Sequence, residues 1–551
     1  MFWYWQLAVS LAVLALGMVF EAPPLLHVFQ LESYKLSLLF RWVKKAWLRF
    51  LAISILGLAA TVIGGGVASL VRHFFQGSVE RGFPLWLFEW IVSLCIVIIP
   101  FCGRLVLFWV WKKRPRKKPL VYTARAKRLL ATNGLVWLLL LGIVYAALVG
   151  FDAKNAGTIV FYAAALFPIP VFALSAVAVR PLEKAIQRWY FNDARKKLAA
   201  RKDLLRIGVT GSYGKTSVKV MLGTILGEKY KTYITPSSYN TPMGVGRVIR
   251  EELPDDAQVF VAEMGARQKG DIAEMCDLVH PQYGIITSIG PQHLETFHTM
   301  ENIADTKFEL AQAIPQDGRI FLPADNSYCL DRYRKAPQGK SLFGLAPVAE
   351  GLAMTAQDVA VSHSGSAFTL VNRKGETAVC TTRLLGKHNV QNLLGCAALA
   401  RELGFSMDEI ARGIQKVQPV EHRLQLLETG NGVAVIDDAF NSSPDGTRAA
   451  LEVLSGFPGR KIVVTPGLVE LGDREEEENR IFGQNMAAVV DIAILVARNG
   501  KAMREGLLEK GFPTGQIMEA KNLQEATAML AKLTRIGDVV LFENDLPDHY
   551  E

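Results

Sequence analysis

Cysteine is scarce in this 551-residue chain: six residues (Cys95, Cys102, Cys276, Cys329, Cys380, Cys396), with no C-x-x-C pair and no zinc spacing. That excludes a disulfide scaffold and a cysteine-based zinc site, and the plain reading is free thiols in a reducing compartment. Acidic residues are nearly missing from the first part. Residues 1–206 hold 8 Asp and Glu against 27 Lys and Arg. The remainder holds 44 acidic against 34 basic residues, so the formal net charge of +9 is no argument for a nucleic-acid partner. The L-S-G-G-Q signature of ABC ATPases and the N-K-x-D of GTPases are both absent. The first apolar run has no basic segment before it, so it reads as a retained helix rather than a signal peptide.

What the first part does have is apolar runs. Five of them, near 4–20, 50–71, 85–111, 129–150 and 157–179, reach or approach the roughly 20 residues that cross a bilayer. An α-helical membrane domain of about five spans is expected over 1–180, followed by a basic juxtamembrane linker over 181–205. Glu89 and Arg104 fall inside the third run. Glu89 lies near its end and can snorkel. Arg104, beside Pro100 and Gly103, marks a functional charge or a kink between two short helices. The basic loops 22–49 and 112–128 alternate with poorly charged ones, which places the N-terminus outside and everything after about 180 in the cytoplasm. Arg195-Lys-Lys197 and Arg201-Lys202 read either as a solvated helix or as a surface for anionic lipid.

The second part is organised around Ile207-Gly-Val-Thr-Gly-Ser-Tyr-Gly-Lys-Thr-Ser217. β-Branched residues enter a glycine turn, and a helical pattern leaves it: strand, phosphate loop, helix. Gly211 and Gly214 let backbone N–H groups converge on an anion, and the helix start adds its dipole. Lys215 suits the β- and γ-phosphates of ATP; the Thr216 hydroxyl, with Ser217 behind it, suits Mg²⁺. Val209 stands where G-x-x-x-x-G-K-[ST] has its first glycine. A buried-strand run, Val259–Ala262, ends in Glu263, where a metal-binding carboxylate is expected beside a phosphate loop. Another strand, 284–290, leads to His293. A lone histidine is more often structural, but this one closes the third polar strand end of one sheet. After 421, strands at Val433–Ile436, Lys461–Thr465, Ile492–Val496 and Val539–Phe542 alternate with helices, as in a Rossmann-like domain. Glu475–Glu478 reads as a solvated face near a helix start.

Thr210-Gly-Ser-Tyr-Gly-Lys-Thr216, Glu263-Met-Gly-Ala266 and Gln292-His-Leu-Glu295, in this order, resemble the Mur ligase family, the ATP-dependent amide ligases of cell-wall precursor synthesis. Asn302–Glu309, Gly386-Lys-His-Asn-Val-Gln-Asn392, Arg423 and Asp437-Asp-Ala-Phe-Asn-Ser-Ser-Pro444 extend the resemblance over about 205–551. It implies a central ATP-binding P-loop domain over 206–420 and a Rossmann-like ligase domain over 421–551. It implies use of ATP and Mg²⁺ and, joined to the apolar runs and basic loops of the first part, a bacterial plasma-membrane enzyme. A carboxylate would be activated as an acyl phosphate, and an amine such as D-alanyl-D-alanine would be joined to a peptide-bearing precursor. By resemblance, Glu263 and His293 would hold a second metal and Lys307 would be carbamoylated. Arg423 would brace developing charge, and Asn389, Asn392, Asp438 and Asn441 would contact the nucleotide.

Three departures from the family stand out. The membrane half occupies the place of the small domain that grips the UDP end of the substrate, leaving Ser237, Asn240 and Thr241 as candidate substrate contacts. His422 replaces the family's Gly before Arg423. Glu543-Asn-Asp545 replaces a Lys-Gly-Ser turn and is a candidate site for a cationic amine. A ligase with another product (of poly-γ-glutamate type, or modifying a lipid-linked precursor) and a nucleotide-sensing membrane scaffold or transporter are the competing expectations.

Overall fold

The computed structural model describes residues 22–31, 34, 36, 39–40, 102, 105–106, 108–113, 119–150, 168–237, 239–335, 339–345, 351–428, 430, 432–440, 442–496 and 499–545. The chain divides into two compact units, Met1–Gln187 and Arg188–Glu551.

In the first unit, helix Ala124–Gly150 meets the beginning of helix Pro168–Ala200 through polar clamps. Arg128 donates twice to the buried Glu183 carboxylate, at 2.6 and 3.0 Å. Asn133 donates to Ser175 Oγ at 3.1 Å, and Ser175 donates to the Val171 carbonyl. The buried Glu183, Asn133 and Ser175 side chains thus have their partners, whereas the buried Tyr34 hydroxyl has no hydrogen bond among the described residues. Leu135, Leu138, Leu139 and Ile143, at helical spacing, are all exposed. Among the described residues one helical stretch, Ala124–Ile143, is long and apolar enough to cross a membrane. The other expected spans fall wholly or partly outside the described residues, as do Glu89 and Arg104.

The boundary between the two units falls inside the expected linker, 181–205, which is helical over most of its length. Helix Pro168–Ala200 continues through it despite Pro181. Its last turns are core to the second unit, where Ala194 and Leu198 pack with Leu204, Val245, Val248 and Leu278. Three of its charges are engaged by protein: Arg195 pairs with Asp277 at 3.2 Å, Asp193 with Arg250 at 2.6 Å, and Lys197 Nζ donates to the Arg250 carbonyl.

The second unit holds two sheets. Strands β1 (Leu205–Thr210), β2 (Thr232–Ile234), β3 (Val259–Glu263), β4 (Tyr283–Ile286), β5 (Arg319–Pro323), β6 (Lys340–Phe343), β7 (Met354–Ser362), β8 (Gly365–Asn372) and β9 (Thr377–Thr382) lie in the order β2-β3-β1-β4-β5-β6-β7-β8-β9. The pairs are parallel from β2 to β7, and β7–β9 form an antiparallel meander. Period-2 alternation sends Ile207 and Val209 to one face, under helices Lys215–Leu226, Lys387–Glu402 and Met407–Lys416. The other face carries helices Pro242–Glu251, Asp271–Val279 and Met300–Ala313. After β1 the chain places β3 on one side and β4 on the other. This switch opens a crevice beyond the C-terminal end of β1, the usual ligand position in such sheets.

Strands β10 (Gln425–Glu428), β11 (Ala434–Asp438), β12 (Lys461–Thr465), β13 (Ile492–Val496), β14 (Ile517–Ala520) and β15 (Val539–Glu543) form the second sheet, ordered β10-β11-β15-β12-β13-β14 and parallel except for β10. β12 and β13 have the expected limits. β11 and β15 run on to Asp438 and Glu543, which become register partners. The edge strands β10 and β14 and the β7–β9 meander carry too weak an alternation to be foreseen. β4 stops at Ile286, short of the expected 290. Thr287 there turns its hydroxyl to the Tyr213 carbonyl, so the chain leaves the sheet to wall the phosphate loop. The Glu475–Glu478 run is not wholly a solvated face: Glu478 is buried and takes a hydrogen bond from Arg474.

Candidate active site

The site grows from the end of β1. Thr210 is buried and donates to the Met264 carbonyl at 2.9 Å, joining the ends of β1 and β3. Ser212 bonds Gly290 twice: its hydroxyl donates to the carbonyl at 2.9 Å and accepts the amide N–H at 3.0 Å. Gly214, at φ 75°, starts helix Lys215–Leu226 in the left-handed region that favours glycine. A Cβ on Gly214 would stand 3.2 Å from the Asn392 amide, so Asn392 lies directly against the loop.

Lys215 folds over this loop. Its Nζ donates to the carbonyls of Gly211 and Ser212 at 2.8 and 2.9 Å. Burial lowers its pKa to about 8; Glu263 opposes the shift and Arg423 adds to it. One helical turn on, Lys219 is almost fully buried. It lies 3.1 Å from Glu263 Oε2 and donates to the Ser237 carbonyl at 2.5 Å. Burial lowers its pKa as well, against Glu263. Lys307, inside helix Met300–Ala313, is 1 % exposed. Its pKa is driven well below the ordinary lysine value by burial first and the Lys215 charge second. Arg423 is lowered by burial too, opposed by Asp438 and Glu263, and its guanidinium covers the Phe440 ring at 4.4 Å. Three lysines and an arginine therefore surround few carboxylates in a desolvated pocket. Such an arrangement is unfavourable alone and is matched by a polyanion.

Glu263, 1 % exposed at the end of β3, is the central carboxylate. Asn240 donates to its Oε1 at 3.1 Å, while no hydrogen bond is aligned on Oε2. Among the described residues no three His, Cys, Asp or Glu side chains form a ready metal cage. Mg²⁺ does not need one: it binds through one or two carboxylates, phosphate oxygens and water. Glu263 Oε2 and the Thr216 hydroxyl fit that requirement. His293, at φ 52°, is held by Glu470, with 2.6 Å from Nδ1 to the carboxylate.

Of the candidate substrate contacts, Asn240 reaches the site through Glu263. The Thr241 hydroxyl instead caps helix Pro242–Glu251 by accepting the Gly244 N–H, and the exposed Ser237 takes part through its carbonyl. Asn389 is buried, with its amide donating to the Leu385 carbonyl. Asp438 accepts the Leu424 N–H at 3.1 Å. Burial raises its pKa to about 6. Asn441 lies outside the described residues. Glu543 is fully buried and bonded by Ser442; burial and the Asp438 charge raise its pKa. It is therefore no open site for a cationic amine. His422 adopts φ 59° where the family has glycine, and its ring meets Asp437 at 2.7 Å. Lys219 and Glu470 were not singled out in the sequence. The four-residue spacing from Lys215 was the one available signal for Lys219.

Comparison with known proteins decides the family. The Mur ligase middle domain matches residues 209–400, and the Mur ligase, glutamate ligase domain matches 422–543. The UDP-N-acetylmuramoyl-tripeptide--D-alanyl-D-alanine ligase of Mycobacterium tuberculosis (strain ATCC 25618 / H37Rv) is 31 % identical over 372 residues, covering 61 % of this chain and 69 % of that protein. This chain belongs to the Mur ligase family. The Bacillus subtilis (strain 168) ligase of the same name is 29 % identical over 341 residues, covering 61 % of this chain and 72 % of that protein. The crystal structure of MurF from Acinetobacter baumannii superposes with a TM-score of 0.59 at 26 % identity, covering 65 % of this chain and 77 % of that one. Both matched Mur ligase domains lie within the second compact unit.

In this Mur ligase the Lys215 ammonium is the form that attracts phosphate, and it is lost as pH rises through about 8. Nucleotide affinity, measured by calorimetry, is expected to fall about tenfold per pH unit above 8. In Lys215→Met it is expected to be weak and nearly flat across the same range.

Proposed function

We propose that this chain is a membrane-anchored ATP-dependent peptide ligase. It joins D-alanyl-D-alanine, or a similar amine, to the terminal carboxylate of a peptidoglycan-precursor peptide. The observation that carries the reading is the buried cluster at the phosphate loop, in which Lys215, Lys219 and Arg423 surround Glu263 and Lys307 adds its charge beside Lys215. The matched relatives, which carry that activity in their names, supply the substrate class.

The substrate carboxylate attacks the γ-phosphorus of ATP in line. The bond from γ-phosphorus to the β–γ bridging oxygen breaks, leaving ADP and an acyl phosphate. The amine then adds to the acyl carbon, and the tetrahedral intermediate expels phosphate as the amine gives up its proton. Such a transfer rests on positioning and charge stabilisation. Lys215 reaches the β- and γ-phosphates from the loop, and Arg423 brings cationic charge from the C-terminal domain. Mg²⁺ would be held by Thr216 and Glu263, and by His293 as the family resemblance implies, and would supply further neutralisation. The two domains meeting over the nucleotide keep water from the acyl phosphate. Asn392 and Asp438 bound the nucleotide side.

Lys307 is buried and its amine favours the neutral form, which is the form that adds to CO₂. The carbamate would carry negative charge into a cationic pocket. On this reading ¹³CO₂ gives a carbamate carbon signal in ¹³C NMR of the wild-type protein that is missing from Lys307→Ala. Equal spectra would remove the carbamate from the account.

The exposed apolar stripe on helix Ala124–Gly150 supports the anchor, and the basic loops 22–49 and 112–128 support a plasma-membrane location with the ligase domains in the cytoplasm. The stripe also favours a second reading, in which the precursor is lipid-linked rather than UDP-linked. Phosphate release from Mg²⁺-ATP by the detergent-solubilised protein separates the two. Release requiring both UDP-linked tripeptide and D-alanyl-D-alanine is expected, at least a hundredfold above Lys215→Ala. Release only with the lipid-linked form selects the second reading, and no acceptor-stimulated release contradicts both.

A further inference from the structure

His293 and Glu470 belong to different domains and make a direct contact of 2.6 Å. His293 follows β4, and Glu470 follows β12. The loop bearing His293 is fixed to the phosphate loop: Gly290 bonds Ser212 in both directions, and Tyr213 Oη donates to the Pro291 carbonyl at 2.8 Å. The His293 carbonyl also holds the following turn by accepting from Thr296 and Phe297. The Glu470 arm is equally well fixed. The Leu468 N–H donates to Asn479 Oδ1 at 2.8 Å, and its carbonyl accepts from Asn479 and Asn499 at 2.9 and 2.7 Å. Leu468, Val469 and Leu471 are buried on either side of Glu470. Both contact residues hold left-handed backbone, φ 52° and 65°, a conformation that persists in non-glycine residues when the surroundings impose it.

A carboxylate on Nδ1 selects the tautomer whose proton is on Nδ1 and whose lone pair is on Nε2. Histidines that bind metals are oriented by such a carboxylate partner. We infer that Glu470, from the C-terminal domain, is a positioning residue that fixes His293 Nε2 as a lone-pair donor for the metal on the nucleotide. The metal site of the middle domain is then complete only when the C-terminal domain is engaged. This inference rests on the ATP-dependent reading above.

The test uses the full-length protein in detergent with Mn²⁺ as probe and a β,γ-methylene ATP analogue, followed by electron paramagnetic resonance. Glu470→Ala is expected to weaken Mn²⁺ binding about 10–100-fold, while metal-free binding of the analogue, by calorimetry, stays within twofold of wild type. Glu470→Gln, of nearly the same shape, is expected to weaken it several-fold, since its amide oxygen still accepts from Nδ1–H; it also serves should the alanine variant fail to fold. Glu470→Ala combined with His293→Ala is expected to bind Mn²⁺ no more weakly than His293→Ala alone. Unchanged Mn²⁺ affinity in both Glu470 variants, or full additivity of the two alanines, overturns the inference while leaving the ligase reading intact. Wild-type protein that binds no analogue overturns both.

Discussion

The second unit depends on an electrostatic imbalance held at the end of β1. Lys215, Lys219, Lys307 and Arg423 are all lowered from their ordinary pKa values by burial, with Glu263 the counter-charge to Lys215 and Lys219, Asp438 and Glu263 to Arg423, and Asp271 and Glu309 to Lys307. Water cannot screen charges in such a place, so each cation costs free energy until an anion arrives. The fold tolerates the cluster because two hydrophobic layers fix the strands that carry it. Ile207 and Val209 pack on one side of β1, while Ala262 and Met264 pack on the other side of the sheet. A polyphosphate is the natural complement of this pocket, which gives the Mur ligase family assignment a physical basis beyond matched motifs.

The second sheet contributes by proximity. Arg423 and Asp438 come from the start of the C-terminal domain, and Tyr213, on the phosphate loop itself, lies against it through Ser443 and Asp445. Asp438 and Glu543 sit side by side in the register of β11 and β15. Both carboxyls are raised by burial, so the pair favours holding a proton between them. The family's Lys-Gly-Ser turn would place a lysine near here. This chain has an acid instead, and the neighbouring Ser442 hydroxyl bonds it.

Much of the site was legible because its parts are local. The Ile207–Ser217 run specifies a strand, a glycine loop and a helix start within eleven residues, and Glu263 follows an unbroken apolar strand. What escaped depends on distance in the chain. Glu470 is 177 positions from His293, and neither residue alone suggests the contact. Glu543 looked open because a terminal acidic run usually is, but pairing β15 between β11 and β12 buries it. The basic stretch before β1 read as a linker because its charges hide two apolar positions, Ala194 and Leu198, that belong to the core.

The most direct test of the cation cluster is the thermal unfolding midpoint of wild type and Lys215→Met, each with and without Mg²⁺ and a non-hydrolysable ATP analogue. The account predicts a rise of several degrees for wild type at saturating ligand. For Lys215→Met it predicts an unliganded midpoint no lower than wild type, since a desolvated charge has been removed, and little or no rise with ligand. An equal ligand-induced rise in both proteins, or none in wild type, would contradict it.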